Sequence, residues 1–335
     1  SLLVRMYGRL AHHNCSPDIP ICWSALNRTF FRHGQTIAEK MVSLEKISPD
    51  EEEENSTRKQ ATATGTSVPT LELPKYSYRI LSVMPIFLSL FACATITWSV
   101  RLSREMPGHL PKGMRYPAIS LALAKEPERK IGQIGFPLVS FFFCVCFFPF
   151  KDAATKTIEA KLRSKFTTAF WAAFIGFMAL AFLGIVPLQD NTVELAFGKK
   201  GGRLEFQSVV HQIAAAIFFG CSIYHCNTVL DIMDTTDSPL LSNKLVSNRT
   251  SYQCKLCSFY MMSLPAVVSF LLHPSSFMLK VTKYWPTVQV ADSGGISQYL
   301  AVSAITLFFT SYSIDLYRCY EIQAARLRTS HGKAD

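Results

Sequence analysis

The sequence predicts an all-α integral membrane bundle of six transmembrane helices behind a disordered N-terminal tail. Charged residues make up only 17% of the chain against 49% hydrophobic, whereas soluble domains carry about 25% charged residues. Apolar runs of membrane-crossing length recur six times. Most of the remaining polar sequence lies before or between those runs.

A helix that crosses ~30 Å of hydrocarbon needs about 20 mostly apolar residues. Ile80–Val100, Ile131–Phe150, Phe166–Pro187, Val209–Leu230, Leu256–His273 and Tyr299–Tyr317 meet that length. The runs are continuous, unlike the alternating strands of a membrane barrel. A backbone in lipid must satisfy its own hydrogen bonds, so helices are the expected form. No internal repeat is visible. The six-span domain covers residues 76–320, and 321–335 form a short cytosolic tail.

Residues 1–75 read as the tail. Their stretch SPDEEEENSTRKQATATGTSVPT, residues 48–70, is acidic and then Ser/Thr-rich. It cannot bury enough apolar surface to offset the entropy of ordering. Ser48 precedes Asp50 and Glu51 in a phosphorylation-like pattern, which a solvated acidic linker also explains. The sequence opens on Ser1, with Met6 and Met41 as alternative starts, so residues 1–40 read as a fragment or leader without a secretory signal pattern.

The net charge of +10 sits between apolar runs, where it orients helices and meets headgroups. The chain shows no basic–aromatic module for nucleic acid. Membrane lipids are the expected partners, with protein partners unassigned, and no cofactor or metal is implied. An even number of spans puts both termini on one side. Lys and Arg nearly tie between the two sides, so charge alone does not orient the chain. None of the ten Cys falls in loops 101–130, 188–207 or 274–298, which suits thiols kept from an oxidising lumen. Both termini are therefore expected in the cytosol, leaving the sequons at Asn14, Asn27, Asn55 and Asn248 unused.

Helices associate in lipid through small residues. Ala172-x3-Gly176 with Gly184 in the third span, and Ala216-x3-Gly220 in the fourth, are expected at helix–helix contacts. Pro137 and Pro265 interrupt spans two and five as kinks or hinges. His211 and His225 share one face of the fourth span, about 40° apart and roughly 21 Å along the axis. They cannot share a metal ion. Each either serves a functional role, as intramembrane ionisable groups often do, or satisfies a neighbouring helix. Asp315 closes the last span in a salt bridge, as an interfacial anchor or as a proton-relay carboxylate.

Catalytic signatures fail. His225 and Asp231 are separated by five residues, where the acyltransferase His-x4-Asp pattern has four. No Gly-x-Ser-x-Gly elbow, Gly-rich phosphate loop or His-Glu-x-x-His occurs. Cys254-x2-Cys257 lacks the second ligand pair that structural zinc needs. Cys254, Cys257 and Cys319 are candidates for palmitoylation at a cytosolic edge.

Between the first two spans lies YPAISLALAKEPERKIGQIG, Tyr116–Gly135. Its apolar middle, Ile119–Ala124, either lies on the bilayer with Glu126, Glu128, Arg129 and Lys130 at the headgroups or packs on the bundle as a lid. Pro117, Ala118, Ile119 and Ser120, then Pro127 and Glu128, together with HQIAAAIFFGCSIYHC (His211–Cys226) and QYLAVSAITLFFTSYSIDLYR (Gln298–Arg318), resemble the DRAM (damage-regulated autophagy modulator) family. That superfamily includes the FGF-receptor-activating-protein type and GPI-anchor lipid-remodelling factors. The resemblance covers about residues 76–320. Leu121 stands where many members carry an acidic residue, and the insertion Lys199–Arg203 is no family feature.

The resemblance implies a multi-pass endomembrane protein, lysosomal, with Golgi, ER or plasma membrane as alternatives. It modulates autophagy or membrane lipid organisation without catalysis. The second expectation is a GPI-anchor lipid-remodelling factor. The third is a channel or transporter. The candidate functional residues are Pro117, Ser120, Pro127, Glu128, His211, His225 and Asp315. An enzyme needs polar side chains clustered at one depth, and a transporter needs a broken helix; neither is evident in the sequence.

Overall fold

The chain divides into two units, Ser1–Ser67 and Val68–Asp335. The computed structural model describes residues 75–189, 206–272 and 288–331. The expected tail with Ser48, the sequons at Asn14, Asn27 and Asn55, and the insertion Lys199–Arg203 lie outside them.

All described elements are helical: α1 Lys75–Glu105, α2 Ile119–Ala122, α3 Glu128–Thr157, α4 Ala160–Ile185, α5 Phe206–Thr235, α6 Val246–Leu272, α7 Val288–Thr310 and α8 Tyr312–His331. Five stretches are long and apolar enough to cross a membrane: α1 from Ser77, α3, α4, α5, and α7 with α8 as Val290–Ala325. The chain is therefore a multi-pass membrane protein. The sixth expected span, Leu256–His273, falls on α6, which does not qualify. Its N-terminal turns carry Arg249, Gln253 and Lys255, and His273 lies outside the described residues. In the expected C-terminal tail, residues 321–331 continue α8.

The long helices pack as a ring. α1 meets α3, α3 meets α4, α4 meets α5, α5 meets α6, and α6 meets α7, while α7 and α8 close against α1. A helix of 30 residues, such as α3, is about 45 Å long at 1.5 Å per residue, longer than the hydrocarbon core. Trp98, Phe141 and Trp171 stay exposed on the outer faces, as apolar surface does when its solvent is lipid. Near the end of α3, the Lys151 ammonium lies 5.3 Å from the Phe170 ring and 6.0 Å from Trp171. That charge snorkels along an aromatic surface toward water.

Small residues set the closest crossings. A Cβ on Gly176 would stand 3.3 Å from Cys221 Cβ, and one on Gly184 would stand 2.8 Å from the Gly132 carbonyl and 2.9 Å from Pro137 Cδ. Both therefore sit at helix–helix contacts, and Pro137 is packed against α4. The expected contact through Ala216 and Gly220 is corrected: both are exposed, and nothing lies within 4 Å of a Cβ on Gly220. Gly176 already lets α5 approach α4, so α5 presents the larger Phe218, Cys221 and Ser222 to that seam.

Candidate functional site

Tyr116–Gly135 answers to the lid. Ile119, Leu121 and Leu123 are buried to within 6% of full exclusion, and Ala124 is completely buried. This stretch therefore packs on protein. α7 holds it through one helical face. Asp292 accepts the backbone N–H of Arg115 at 3.0 Å and of Tyr116 at 2.7 Å. Gln298 Oε1 accepts the N–H of Ile119 at 2.6 Å, and the Tyr299 hydroxyl donates to the Pro117 carbonyl. Gly295 lies between them, where any Cβ would overlap the Tyr116 carbonyl. Positions 292, 295, 298 and 299 recur at helical spacing, so one stripe of α7 receives the whole loop.

Charged groups fasten the lid's rim. The Lys125 ammonium donates to the Gly108 carbonyl at 2.8 Å, and Arg129 Nε donates to Ala124 at 3.1 Å. Glu128 opens α3 fully buried, with Oε1 3.0 Å from His109 Nδ1. Its Oε2 has no hydrogen-bond partner among the described residues. Pro127 precedes it through a cis peptide bond.

Beneath the lid is a cavity of about 110 Å³. That is the size range in which apolar protein cavities stay dry and accept a small hydrocarbon. Ile119, Ser120 and Leu123 line its roof, and all the long helices except α8 contribute to its walls. Among the described residues, no Asp, Glu, Lys or Arg lines it; the polar side chains that do are Ser120, His211, Gln212, Ser269, Gln298 and Thr306. His211 is 7% exposed, and its Nδ1 lies 2.7 Å from the Val186 carbonyl. A carbonyl only accepts, so Nδ1 carries the proton and Nε2 is an acceptor.

Phe143, Phe177 and Phe309 form the floor. The first two rings stack at 5.1 Å, and Phe177 and Phe309 meet at 4.7 Å. His225 stacks on Phe309 at 5.5 Å. Its Nδ1 donates to the Ala169 carbonyl at 2.8 Å, and its Nε2 accepts the Tyr312 hydroxyl at 2.9 Å.

One turn of α8 beyond Tyr312 lies a buried ion pair. Lys255 Nζ donates to Asp315 Oδ2 and to Ser251 Oγ, each at 2.6 Å, and Ser251 donates to Asp315 Oδ1 at 2.6 Å. The ammonium also stands 4.4 Å from the Tyr312 ring centroid. Lys255 is completely buried and Asp315 2% exposed. Beside this group α7 passes into α8 through a tightened turn at Ser311, whose N–H keeps its bond to the Leu307 carbonyl and shares it with Phe308.

The structure adds a polar cluster inside the bundle that the sequence did not show, built from Ser251, Lys255 and Asp315, with Tyr312 and His225 alongside. Asp315 is a salt-bridge partner, of Lys255 on α6. Ser251 and Lys255 were missed because Lys255 immediately precedes the predicted span; the i, i+4 spacing of the two was the available signal. Pro117, Ser120, Pro127 and Glu128 gather at the lid. His211 faces the cavity, and His225 lies below its floor.

Cysteine positions separate as well. Cys257 is exposed, Cys254 is half-buried and Cys319 is completely buried, which removes Cys319 from the acylation candidates because its thiol is inaccessible. Asn248 is 3% exposed, and its side-chain amide donates to the Pro239 and Ser242 carbonyls at 3.1 and 3.0 Å, leaving no room for a glycan. Asp231 pairs with Lys165 on the exposed surface. Among the described residues, no three His, Cys, Asp or Glu gather as a metal site.

Fold and site together define a multi-pass membrane bundle with a lidded, uncharged cavity. Comparison with family models, curated proteins and solved structures finds no match.

Proposed function

We propose that this protein modulates membrane lipid organisation by taking a hydrocarbon segment of a lipid into the lidded cavity, without catalysis. The cavity carries the reading: it is mostly apolar, lined by no charged side chain among the described residues and roofed by a loop that α7 holds in place. Hydrocarbon from the bilayer fits such a space without a desolvation penalty. A catalytic site would need a positioned nucleophile or base and a stabilising donor group around it; among the described residues no charged side chain lines the cavity, and no hydrogen bond joins its hydroxyls to His211.

The resemblance of Tyr116–Gly135, His211–Cys226 and Gln298–Arg318 to the DRAM family extends the proposal to an endomembrane setting, the lysosome first, and to autophagy. The test uses cells lacking the protein. Autophagosome turnover and membrane lipid composition should change, and the wild-type chain should restore them. Ala215→Phe, which fills the cavity, should not, at equal abundance. Accumulated lyso-GPI with normal autophagosome turnover would move the chain to GPI-anchor remodelling.

A second reading, a channel or transporter, draws on the Lys255–Asp315 pair, since ionisable groups inside a membrane bundle often mark ion or substrate pathways. Loss of proton- or ion-dependent flux in Lys255→Met/Asp315→Leu, with protein level intact, would favour it.

A further inference from the structure

We propose that the cavity selects an uncharged lipid by a single hydroxyl group, which donates to His211 and accepts from the Gln298 side-chain amide. The inference rests on reading the cavity as a lipid site and names the lipid's polar end.

Two unused groups carry it. His211 is nine-tenths buried and lines the cavity. With Nδ1–H committed to the Val186 carbonyl, neutral His211 offers only an acceptor at Nε2. Gln298 also lines the cavity, and its Oε1 is committed to the Ile119 N–H. That fixes the orientation of the amide, leaving two N–H donors on the other side of the same group. No hydrogen bond to His211 Nε2 or Gln298 Nε2 forms among the described residues. The His211 acceptor and the Gln298 amide donor thus meet a mostly apolar space, which Ser120, Gln212, Ser269 and Thr306 also line.

Different lipid ends fit this pair unequally. A hydroxyl is both donor and acceptor, so one oxygen can satisfy both groups. A phosphate or carboxylate offers acceptors alone, leaves Nε2 unpaired, and brings a charge into a cavity without a counter-charge, which is costly. A plain acyl chain leaves both polar groups unpaired. The lock on Gln298 also couples recognition to the lid, because the carbonyl oxygen that orients the donor is the one that holds Ile119. The chemistry is shared by sterols and long-chain alcohols; a cavity of about 110 Å³ holds a ring or a short chain end of either.

The test uses the full chain in lipid nanodiscs with four diazirine probes: a sterol, a long-chain alcohol, a fatty acid and a phosphatidylcholine. Labelled peptides are mapped by mass spectrometry. A hydroxyl probe should label residues of the lid, α5 or α7. Unlabelled lipid of the same class should compete, and its methyl ether should compete at least ~10-fold less well, because it leaves His211 Nε2 buried and unpaired. That comparison uses the unmutated protein and is independent of any folding defect. Whether the sterol or the alcohol labels better identifies the source of the hydroxyl. Equal competition by the methyl ether overturns the proposal. Cavity labelling by the fatty acid or phosphatidylcholine alone overturns the hydroxyl rule and leaves the cavity as a lipid site. Absence of cavity labelling by all four overturns both.

Discussion

His211 and His225 stand on one helix, face the same neighbour and donate Nδ1–H to backbone carbonyls of the α4 segment, at Val186 and Ala169. There the likeness ends. His225 also uses Nε2, on the Tyr312 hydroxyl; His211 leaves Nε2 to a cavity. The difference extends to the two halves of the bundle. Below the aromatic floor, Lys255 has a carboxylate, a hydroxyl and a ring face around its ammonium. Above it, side chains hold a loop in place and keep donors and acceptors in reserve. A closed polar network fixes which helices pair, while an open one under an apolar roof is a place for a ligand.

The largest effect should come from breaking the closed half. Removing one member of a buried ion pair leaves an uncompensated charge and costs about 3–5 kcal/mol. Lys255→Met or Asp315→Leu alone should therefore lower the thermal unfolding midpoint in detergent sharply. Together they should recover most of the loss, because apolar replacement of both partners is often neutral. If the double variant stays as unstable as either single one, the pair is more than a clamp between α6 and α8.

The open half should respond to one glycine. Gly295→Ala places a Cβ against the Tyr116 carbonyl, and such overpacking costs about 1–3 kcal/mol. The strain falls on the contact between lid and α7, so trypsin should cleave at Arg115 faster while the bundle's unfolding midpoint falls less than in the Lys255 variant. Unchanged cleavage would mean that the loop is held mainly by its rim contacts, Lys125–Gly108 and Arg129–Ala124.

Substituting the two histidines compares the halves directly. Leu at 225 removes two hydrogen bonds, and Leu at 211 removes one. The loss should be greater at 225 by roughly 1 kcal/mol, the net contribution of one such bond. Gln should be tolerated better than Leu at both sites, because an amide can still donate to the carbonyl. Abundance and unfolding midpoints of the four variants measure this. Equal losses at the two positions would place a partner on His211 Nε2.

The long helices and their order were legible because lipid demands long apolar runs, and those show in composition; five of the six expected runs qualify as spans, and α6 does not. The lid was half legible. Its apolar middle is plain in Ile119–Ala124, but a bilayer and a protein surface are equally apolar, and only the stripe at Asp292, Gly295, Gln298 and Tyr299 decides between them. That stripe is far away in sequence and has no signal of its own. The ion pair was hidden differently: Asp315 was seen, but its partner lies 60 positions earlier, on a residue that hydropathy assigns to a loop. The small-residue rule succeeded at Gly176 and failed at Ala216 and Gly220, because only one side of a seam needs to be small.

The smallest effect concerns the connection on the far side from the lid. Glu159 precedes α4 and ties the α3–α4 connection to the segment after α5. Burial and the charge of Asp237 push its carboxyl upward. Hydrogen bonds from the Asp237 N–H, the Thr236 hydroxyl and its own backbone N–H together outweigh them, holding it below its ordinary value. A carboxyl lowered by folding adds stability above its unfolded pKa, and that stability is lost as pH falls through the folded value. Wild-type protein should therefore lose a small increment of stability on acidification below the ordinary carboxylate range. Glu159→Gln should flatten that part of the pH profile. Unfolding midpoints of both proteins across the acid range test it. Parallel profiles would show that the Thr236 and Asp237 contacts do not distinguish the charged carboxyl from the neutral one.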